Sequence, residues 1–387
     1  MDVVRQLVKG NIRQYGMIIA LVFIVAFFQI TTKGVLLTPV NITNLMMQQG
    51  YILVMAMGMM LVIITGYVDL SIGSVVAATG AISAVLMIDN SIPVLWGIPL
   101  VLLLGLVIGS GHGFFVSLIG IPPFITTLAG MLIYRGVCQV ILSGETKARY
   151  PDAFVNMASG FVSYQVMGRD VVSLALAAGI IILIIFMELR DRRSKQKYHL
   201  EVLPAYMSIL KIAILAIFIG FIADRLSSNM GVPIILFIVI SLAVFYTFLM
   251  KNTVLGRHIY AVGGNQAAAK LSGIKVAKVK FIVFANMGLL AALAGMIVAA
   301  RLNAATPRAG MGFELDAIAA CYVGGASTSG GVGTIVGCII GALVMGILNM
   351  GMSIMGMPID WQNIVKGLVL IAAVCFDIYA KRKSAAA

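Results

Sequence analysis

The sequence has few charged residues and no polar stretch long enough to form a separate soluble domain. Charged side chains make up 11% of the 387 residues and hydrophobic side chains 61%, whereas soluble globular chains have about 25% and about 45–50%. This balance argues against a soluble enzyme, a disordered chain and a nucleic-acid binder. It predicts an integral membrane protein.

Residues that commonly carry chemistry are also scarce. The four cysteines lie in apolar stretches without the paired spacing of a metal site or a disulfide framework. None of the three histidines belongs to an H-E-x-x-H motif, and the sequence contains neither G-x-x-x-x-G-K-[ST] nor G-x-S-x-G. We therefore expect no metal site, no cofactor, no P-loop and no catalytic residue in this chain.

Long apolar runs dominate what is present. A hydrocarbon core about 30 Å thick needs about 20 apolar residues per helix. Runs of suitable character lie at 16–35, 48–66, 72–89, 92–118, 122–142, 171–187, 205–222, 232–250, 279–300, 314–328, 331–350 and 363–380. The predicted fold class is an all-α polytopic membrane protein, a single transmembrane domain over residues 1–387 with about 12 spanning segments, 10–12 being possible. The run at 314–328 is short enough to be a re-entrant half-helix.

Lysines and arginines are concentrated in four polar stretches, 1–15, 188–204, 251–280 and 381–387, which hold seventeen of the 27. Cytoplasmic loops of membrane proteins carry such an excess. The predicted segments between successive stretches number six, two and four, all even, so that all four stretches can lie on one side. We therefore predict cytoplasmic termini and a basic cytoplasmic loop at 188–204, and we attribute the net charge of +13 to topology.

Residues 66–74, with the sequence GYVDLSIGS, interrupt the apolar pattern. Asp69 or Ser71 could cap the following helix, since both residue types favour that position. The alternative is a helix break that lines a polar pathway, because irregular backbone inside a membrane must be buried in protein or face water. The sequence leaves both interpretations open.

A second interruption combines Pro122 and Pro123 with Thr126, Thr127 and, further along the same predicted helix, Arg135. Proline is favourable in the first turn of a helix. Arginine is costly in lipid, so Arg135 is expected to face protein or water. Asp69 is one partner that the sequence allows.

The third interruption contains Glu314 and Asp316, followed by the glycine-rich stretch 324–333. The glycine spacing differs from that of a dinucleotide-binding loop, and no strand precedes it. Glycines at four-residue spacing instead predict close packing between membrane helices. Two such series are Gly105, Gly109, Gly113 and Gly333, Gly337, Gly341.

The basic stretch 251–280 is longer than a linker between two spans needs to be. Gly263-Gly264 predicts a turn, and Asn265 is a favourable N-cap. The residues from Gln266 to Leu271 favour a helix, and Gly273 is of the type that ends one. We therefore predict a short helix over 265–271 that lies outside the membrane and docks a partner.

Three of these segments resemble the signatures of a known family. Residues 66–74 resemble the G-x-x-D-L-S-x-G-S signature of bacterial sugar ABC importer permeases of the ribose, xylose, arabinose and galactoside branch. Residues 256–274 resemble that branch's cytoplasmic coupling segment, and 324–331 its late glycine-rich stretch. Extra length around 171–230 is similar to the xylose and multiple-monosaccharide permeases. Two positions depart from the pattern: Tyr67 replaces a smaller residue, and Gln266 stands where many members carry an acid.

The resemblance implies a multi-pass permease of the bacterial inner membrane. Two copies would form the pathway for a monosaccharide of the xylose, arabinose, galactose or glucose type. A periplasmic binding protein would deliver the sugar, and a separate cytoplasmic ATPase would hydrolyse the ATP. The residues expected to couple to that ATPase are Gly256, Arg257, Tyr260, Gly263, Gly264, Asn265, Ala268, Leu271, Ser272 and Gly273. The candidates for lining the pathway or breaking a helix are Asp69, Ser71, Thr126, Thr127, Arg135, Glu314 and Asp316.

An ion-coupled secondary sugar transporter is the alternative, because such proteins also use broken helices and intramembrane acids. Most acids in this sequence lie at the ends of predicted spans, which favours the importer permease. An intramembrane enzyme is less favoured, because the sequence offers no cluster of acid, base and nucleophile.

Overall fold

The computed structural model describes residues 12–198 and 205–385, and most of them are helical. The helices are α1 (Ile12–Thr31), α2 (Pro39–Ile64), α3 (Ile72–Ala84), α4 (Val94–Phe114), α5 (Pro123–Leu142), α6 (Asp152–Ser159), α7 (Val171–Lys197), α8 (Ala205–Ser227), α9 (Ile234–Asn252), α10 (Val254–Gly264), α11 (Gln266–Leu271), α12 (Val276–Leu302), α13 (Phe313–Val323), α14 (Ile335–Ile354) and α15 (Ile359–Ala385). Two of them, α3 and α4, continue into π-helical turns, Val85–Asp89 and Phe115–Ile119.

Ten helices within the described ranges are long and apolar enough to cross a membrane: α2, α3 and α4 with their π-helical turns, α5, α7, α8, α9, α12, α14 and α15. These helices confirm the predicted all-α polytopic membrane protein. A shorter apolar stretch, Ile19–Thr31, lies in α1. The exact number of spans stays a prediction.

Short antiparallel strand pairs lie at one end of the bundle, which we call the strand end. The strands are β1 (Lys147–Ala148), β2 (Phe161–Val162), β3 (Gln165–Val166), β4 (Arg169–Asp170), β5 (Val232–Pro233) and β6 (Ala304–Ala305). They pair as β1 with β6, β2 with β5 and β3 with β4. The opposite end contains α10 and α11, because α9 and α12 both connect that end with the strands.

The predicted span at 314–328 is not a full-length helix. The helix α13 has 11 residues and is therefore about 16 Å long, roughly half of what a membrane crossing needs. The chain around it nevertheless runs from β6 at the strand end to Gly331, whose N–H donates to the carbonyl of Ile64 at the opposite end. A loop and a half-helix together thus connect the two ends, so that the even numbers of crossings between basic stretches are retained.

The core is formed by α2, α3, α12 and α14, whereas α7, α8 and α15 lie at the periphery. In the apolar part of α7, only 6% is buried inside the protein. Both glycine series serve close packing, as predicted. A Cβ on Gly109 would overlap the carbonyl oxygen of Phe284 in α12, and one on Gly341 would overlap that of Ala320 in α13.

The predicted basic loop 188–204 begins as helix. The apolar part of α7 continues without interruption through the basic residues to Lys197, and helix formers such as Leu189, Arg190 and Lys195 explain the continuation. Residues 199–204 lie outside the described part of the chain, as do residues 1–11 of the first basic stretch.

Candidate functional site: a junction of three glycine-rich segments

The first segment of the site is the end of α2. Gly66 has a φ of +87°, a left-handed conformation that favours glycine because it has no Cβ. The N–H of Tyr67 donates to the carbonyl of Val62 at 3.2 Å, and the N–H of Gly66 donates to that of Ile63 at 2.9 Å. This is the Schellman pattern of a helix C-terminus. It stops α2 and sends the chain into the segment that contains Asp69.

The second segment is formed by α10 and α11. The predicted helix over 265–271 is confirmed: the Asn265 side chain accepts a hydrogen bond from the N–H of Ala268 at 3.0 Å, and Gly273 ends α11 with a φ of +82°. The predicted turn at Gly263-Gly264 is wrong, since both residues belong to the last turn of α10. Close packing of Gly263, described next, explains why glycines occur inside that helix.

The three segments meet at one point, which we call the glycine junction: residues 64–66, 263–264 and 330–333. A Cβ on Gly263 would overlap the carbonyl oxygen of Ile64, and one on Gly330 would come within 3.0 Å of the Cα of Gly66. The N–H of Gly331 donates to the carbonyl of Ile64 at 2.8 Å. The backbones of α2, α10 and the loop before α14 are therefore in direct contact.

A side chain adds a further bond to the junction. The hydroxyl of Tyr260 in α10 donates to the carbonyl of Gly333 at 2.7 Å. Burial raises the pKa of Tyr260 above its ordinary value, so the phenol keeps its proton and remains a donor. These bonds join α10 to the end of α2 and to the loop before α14.

The other predicted coupling residues lie along α10 and α11 and directly after α11. Gly256 packs in the first turn of α10 against the carbonyl of Met250. The Ser272 hydroxyl donates to the carbonyl of Ala268 at 2.9 Å. The remaining members of the set present exposed surface: Arg257, Ala268 and Leu271. The Leu271 side chain is 90% exposed although α11 is not a spanning helix.

Asp69 lies in the segment that connects α2 with α3, and it is 2% exposed. Its Oδ1 accepts hydrogen bonds from the N–H of Ser71 at 2.8 Å and from the Ser71 hydroxyl at 2.6 Å. Ser71 is the N-cap residue of α3, but its side chain makes no capping bond. The predicted capping by either residue is thus replaced by a local turn in which Asp69 fixes Ser71.

Arg135 and Asp69 do not form the ion pair that the sequence allowed. The Arg135 guanidinium donates from Nη1 to the carbonyls of Ala309 at 2.7 Å and Pro307 at 3.3 Å, in the loop before α13. Backbone carbonyls replace the acid because this loop is irregular and its acceptors would otherwise be unsatisfied. Arg135 consequently fixes the approach to the half-helix.

The remaining pathway candidates fall into separate places. Glu314 packs against Gly73 at the start of α3, and Asp316 forms an ion pair with Lys366 of α15 at 3.1 Å. The hydroxyls of Thr126 and Thr127 donate to the carbonyls of Pro122 and Phe124 about one turn earlier, both at 3.4 Å. Hydrogen bonds and ion pairs among these seven described residues join only Asp69 to Ser71, although the charges of Arg135 and Asp316 act on Glu314.

Sequence reasoning missed two residues near Asp69. The Nδ1 atom of His112 lies 3.5 Å from the Ser71 hydroxyl, and the His112 ring makes an edge contact with Tyr134 at 5.7 Å between centroids. A buried histidine in an apolar helix was the available signal, but nothing in the sequence connects position 112 with position 71.

Comparison with known proteins identifies the family. The family described as "Branched-chain amino acid transport system / permease component" matches residues 41–374. The xylose transport system permease protein XylH of Haemophilus influenzae is 39% identical over 379 residues, covering 96% of this chain and 98% of the relative. XylH of Escherichia coli K12 is 37% identical, with coverage of 97% and 94%.

More distant similarity extends to the ribose permeases. The ribose import permease protein RbsC of Haemophilus influenzae is 33% identical over 347 residues, covering 89% of this chain and 86% of the relative. No solved structure matches. These relatives are permease components and favour the importer permease over the ion-coupled carrier and the enzyme. The chain therefore belongs to this permease family and, within it, to the branch of inner-membrane permeases that serve sugar ABC importers.

Proposed function

We propose that the chain is the membrane-spanning subunit of an ATP-driven importer of monosaccharides, with xylose as the first substrate to test. The names of the relatives support the substrate class: xylose for those at 37–39% identity and ribose for the next. In this proposal a periplasmic sugar-binding protein delivers the sugar at the strand end. Two copies of the chain form the pathway between them.

The glycine junction is the observation that carries the coupling part of the proposal. A separate ATPase docks on α10 and α11 from the cytoplasm, and the junction passes its movement to α2 and α14. The exposed Ala268 and Leu271 form the contact surface of α11. Residues 251–280 contain six lysines and arginines and no acid, so the docking surface of the ATPase is expected to be acidic.

The test replaces Ala268 with arginine. A charged, bulky side chain at the centre of an interface disfavours docking, so Ala268→Arg should reduce both ATPase co-purification and xylose uptake. Gly273→Val should do the same, because a β-branched residue is strained in the left-handed conformation that ends α11. Ala153→Arg, at another exposed alanine, on α6 at the strand end, is the matched control for ATPase co-purification.

The measurement compares purified complexes and membrane vesicles that contain equal amounts of the permease. Normal ATPase binding and normal uptake by both α11 variants would refute the coupling role. Uptake that proceeds without any ATPase would refute the importer itself.

A further inference from the structure

The two positions that depart from the family pattern touch each other. The hydroxyl of Tyr67 donates to the Oε1 of Gln266 at 3.0 Å, across 199 residues of sequence. Tyr67 directly follows the left-handed Gly66, and Gln266 is the first residue of α11. A smaller residue at position 67 would carry no phenol to donate this bond. An ionised acid at position 266 would still accept it.

The Tyr67 ring is held from a second side. The Nζ of Lys280, in the first turns of α12, lies 5.0 Å from the ring centroid, within the range of a cation–π interaction. The main-chain N–H of Tyr67 closes α2 through its bond to Val62. One residue is thus bound to α2, to α11 and to α12.

The position of this contact along the chain distinguishes it from the glycine junction. The junction contacts reach the α2 end at Ile64 and Gly66, at or before the left-handed turn. Tyr67 lies after that turn and two residues before Asp69, which holds Ser71 at the start of α3. A displacement of α11 larger than the rotamers of Tyr67 and Gln266 can absorb therefore either breaks this bond or moves the segment that carries Asp69.

We propose that Tyr67 is a positioning residue that transmits the movement of α11, through Gln266, to the break at 66–71 and hence to α3. This inference rests on the coupling role proposed above. Gln266 is exposed in the isolated chain. A partner seated on α11 excludes water from the bond and makes it stronger, because hydrogen bonds strengthen at low local dielectric.

The experiment uses the complete complex of permease, ATPase and binding protein in proteoliposomes and measures xylose imported per ATP hydrolysed. Tyr67→Phe removes only the hydroxyl, Gln266→Leu removes the acceptor, and Gln266→Glu keeps an acceptor oxygen. Loss of one hydrogen bond of this kind corresponds to a decrease of about 2- to 12-fold in that ratio. Tyr198→Phe, on the exposed end of α7, is the matched control.

The proposal expects Tyr67→Phe and Gln266→Leu to lower the ratio at equal amounts of assembled complex, and it expects ATPase co-purification by Tyr67→Phe to stay normal. It expects Gln266→Glu to behave like the wild type, and the double variant Tyr67→Phe/Gln266→Leu to be no worse than either single variant, since both remove the same bond. An unchanged ratio in Tyr67→Phe, or additive losses in the double variant, would overturn it. If the proposed function itself is wrong, the wild-type complex will import no xylose or bind no ATPase, an outcome that can be distinguished from any difference between variants.

Discussion

Two adjacent glycines at the end of α10 are in very different surroundings. A Cβ added to Gly263 would meet the carbonyl of Ile64 and the N–H of Gly331, whereas a Cβ added to Gly264 would have no atom within 4 Å. A single added methyl group therefore has opposite consequences at neighbouring positions. At this scale the junction depends on the absence of side-chain atoms at Gly263 and not on glycine flexibility, since Gly263 has no positive φ.

Gly263→Ala should destabilise the protein and reduce uptake, because its Cβ would force the end of α2 away from α10. Overpacking of this type costs about 1–3 kcal/mol. Gly264→Ala should leave both properties close to wild type, since no atom lies within 4 Å of its added Cβ. Thermal unfolding of the purified permease and uptake in vesicles would test the pair, and equal behaviour of the two variants would contradict the packing argument.

Single elements differ in how far local sequence determines them. The bounds of α11 follow from Asn265 and Gly273, because an N-cap and a left-handed glycine act within a few residues. The helix α10 was not predicted, because paired glycines normally favour a turn and the contact with Ile64 that explains them is 199 residues away in sequence. Local signals thus give an element's ends only where tertiary packing does not override them.

The start of α7 is determined by a local N-cap, Asp170, whose contribution to stability depends on pH. Asp170 is buried at the strand end and caps α7 by accepting a hydrogen bond from the N–H of Ser173 at 2.7 Å. Burial raises the pKa of Asp170, but hydrogen bonds from Ser173 and from the N–H of Tyr164 outweigh it and hold the pKa below its ordinary value. Folding therefore favours the ionised form of the Asp170 carboxylate over the protonated form.

Asp170→Ala should lower the stability of the strand end by about 0.5–2 kcal/mol, the usual effect of losing an N-cap. The stabilisation by Asp170 should be complete above the unfolded pKa of about 3.9 and should disappear as the pH falls through the lower folded value. Hydrogen exchange of residues 164–173 as a function of pH measures this. The exposed Asp152, in the first turn of α6, provides the control Asp152→Ala, which should leave the hydrogen exchange of residues 164–173 unchanged.

For the whole molecule, composition and apolar runs predicted an all-α membrane protein. They did not predict which residues far apart in sequence contact each other. Helical spans follow from apolar runs because a membrane demands them. The partners of Arg135 are two backbone carbonyls of an irregular loop. Every residue has such a carbonyl, so the sequence does not indicate which ones Arg135 binds. The convergence of three motifs at the glycine junction is likewise a property of the folded chain.

The orientation of the bundle remains a prediction that labelling can test. In a Cys375→Ser background, which removes the exposed native thiol, cysteines at Ser194 and Ala267 should resist an impermeant thiol reagent applied from the periplasm, because both lie in basic stretches. A cysteine at Met167, whose side chain is fully exposed at the strand end, should react. Labelling of position 194 or 267 from outside would contradict the predicted cytoplasmic location of these stretches.

The glycine junction also has a mechanical consequence. Side chains between moving helices can change rotamer and thereby absorb small displacements. Where Gly263 meets Ile64 and Gly330 meets Gly66, main-chain atoms face each other without intervening side chains. We expect such a joint to be stiff, so that a shift of α10 by a fraction of an ångström would reach α2 with little loss of amplitude.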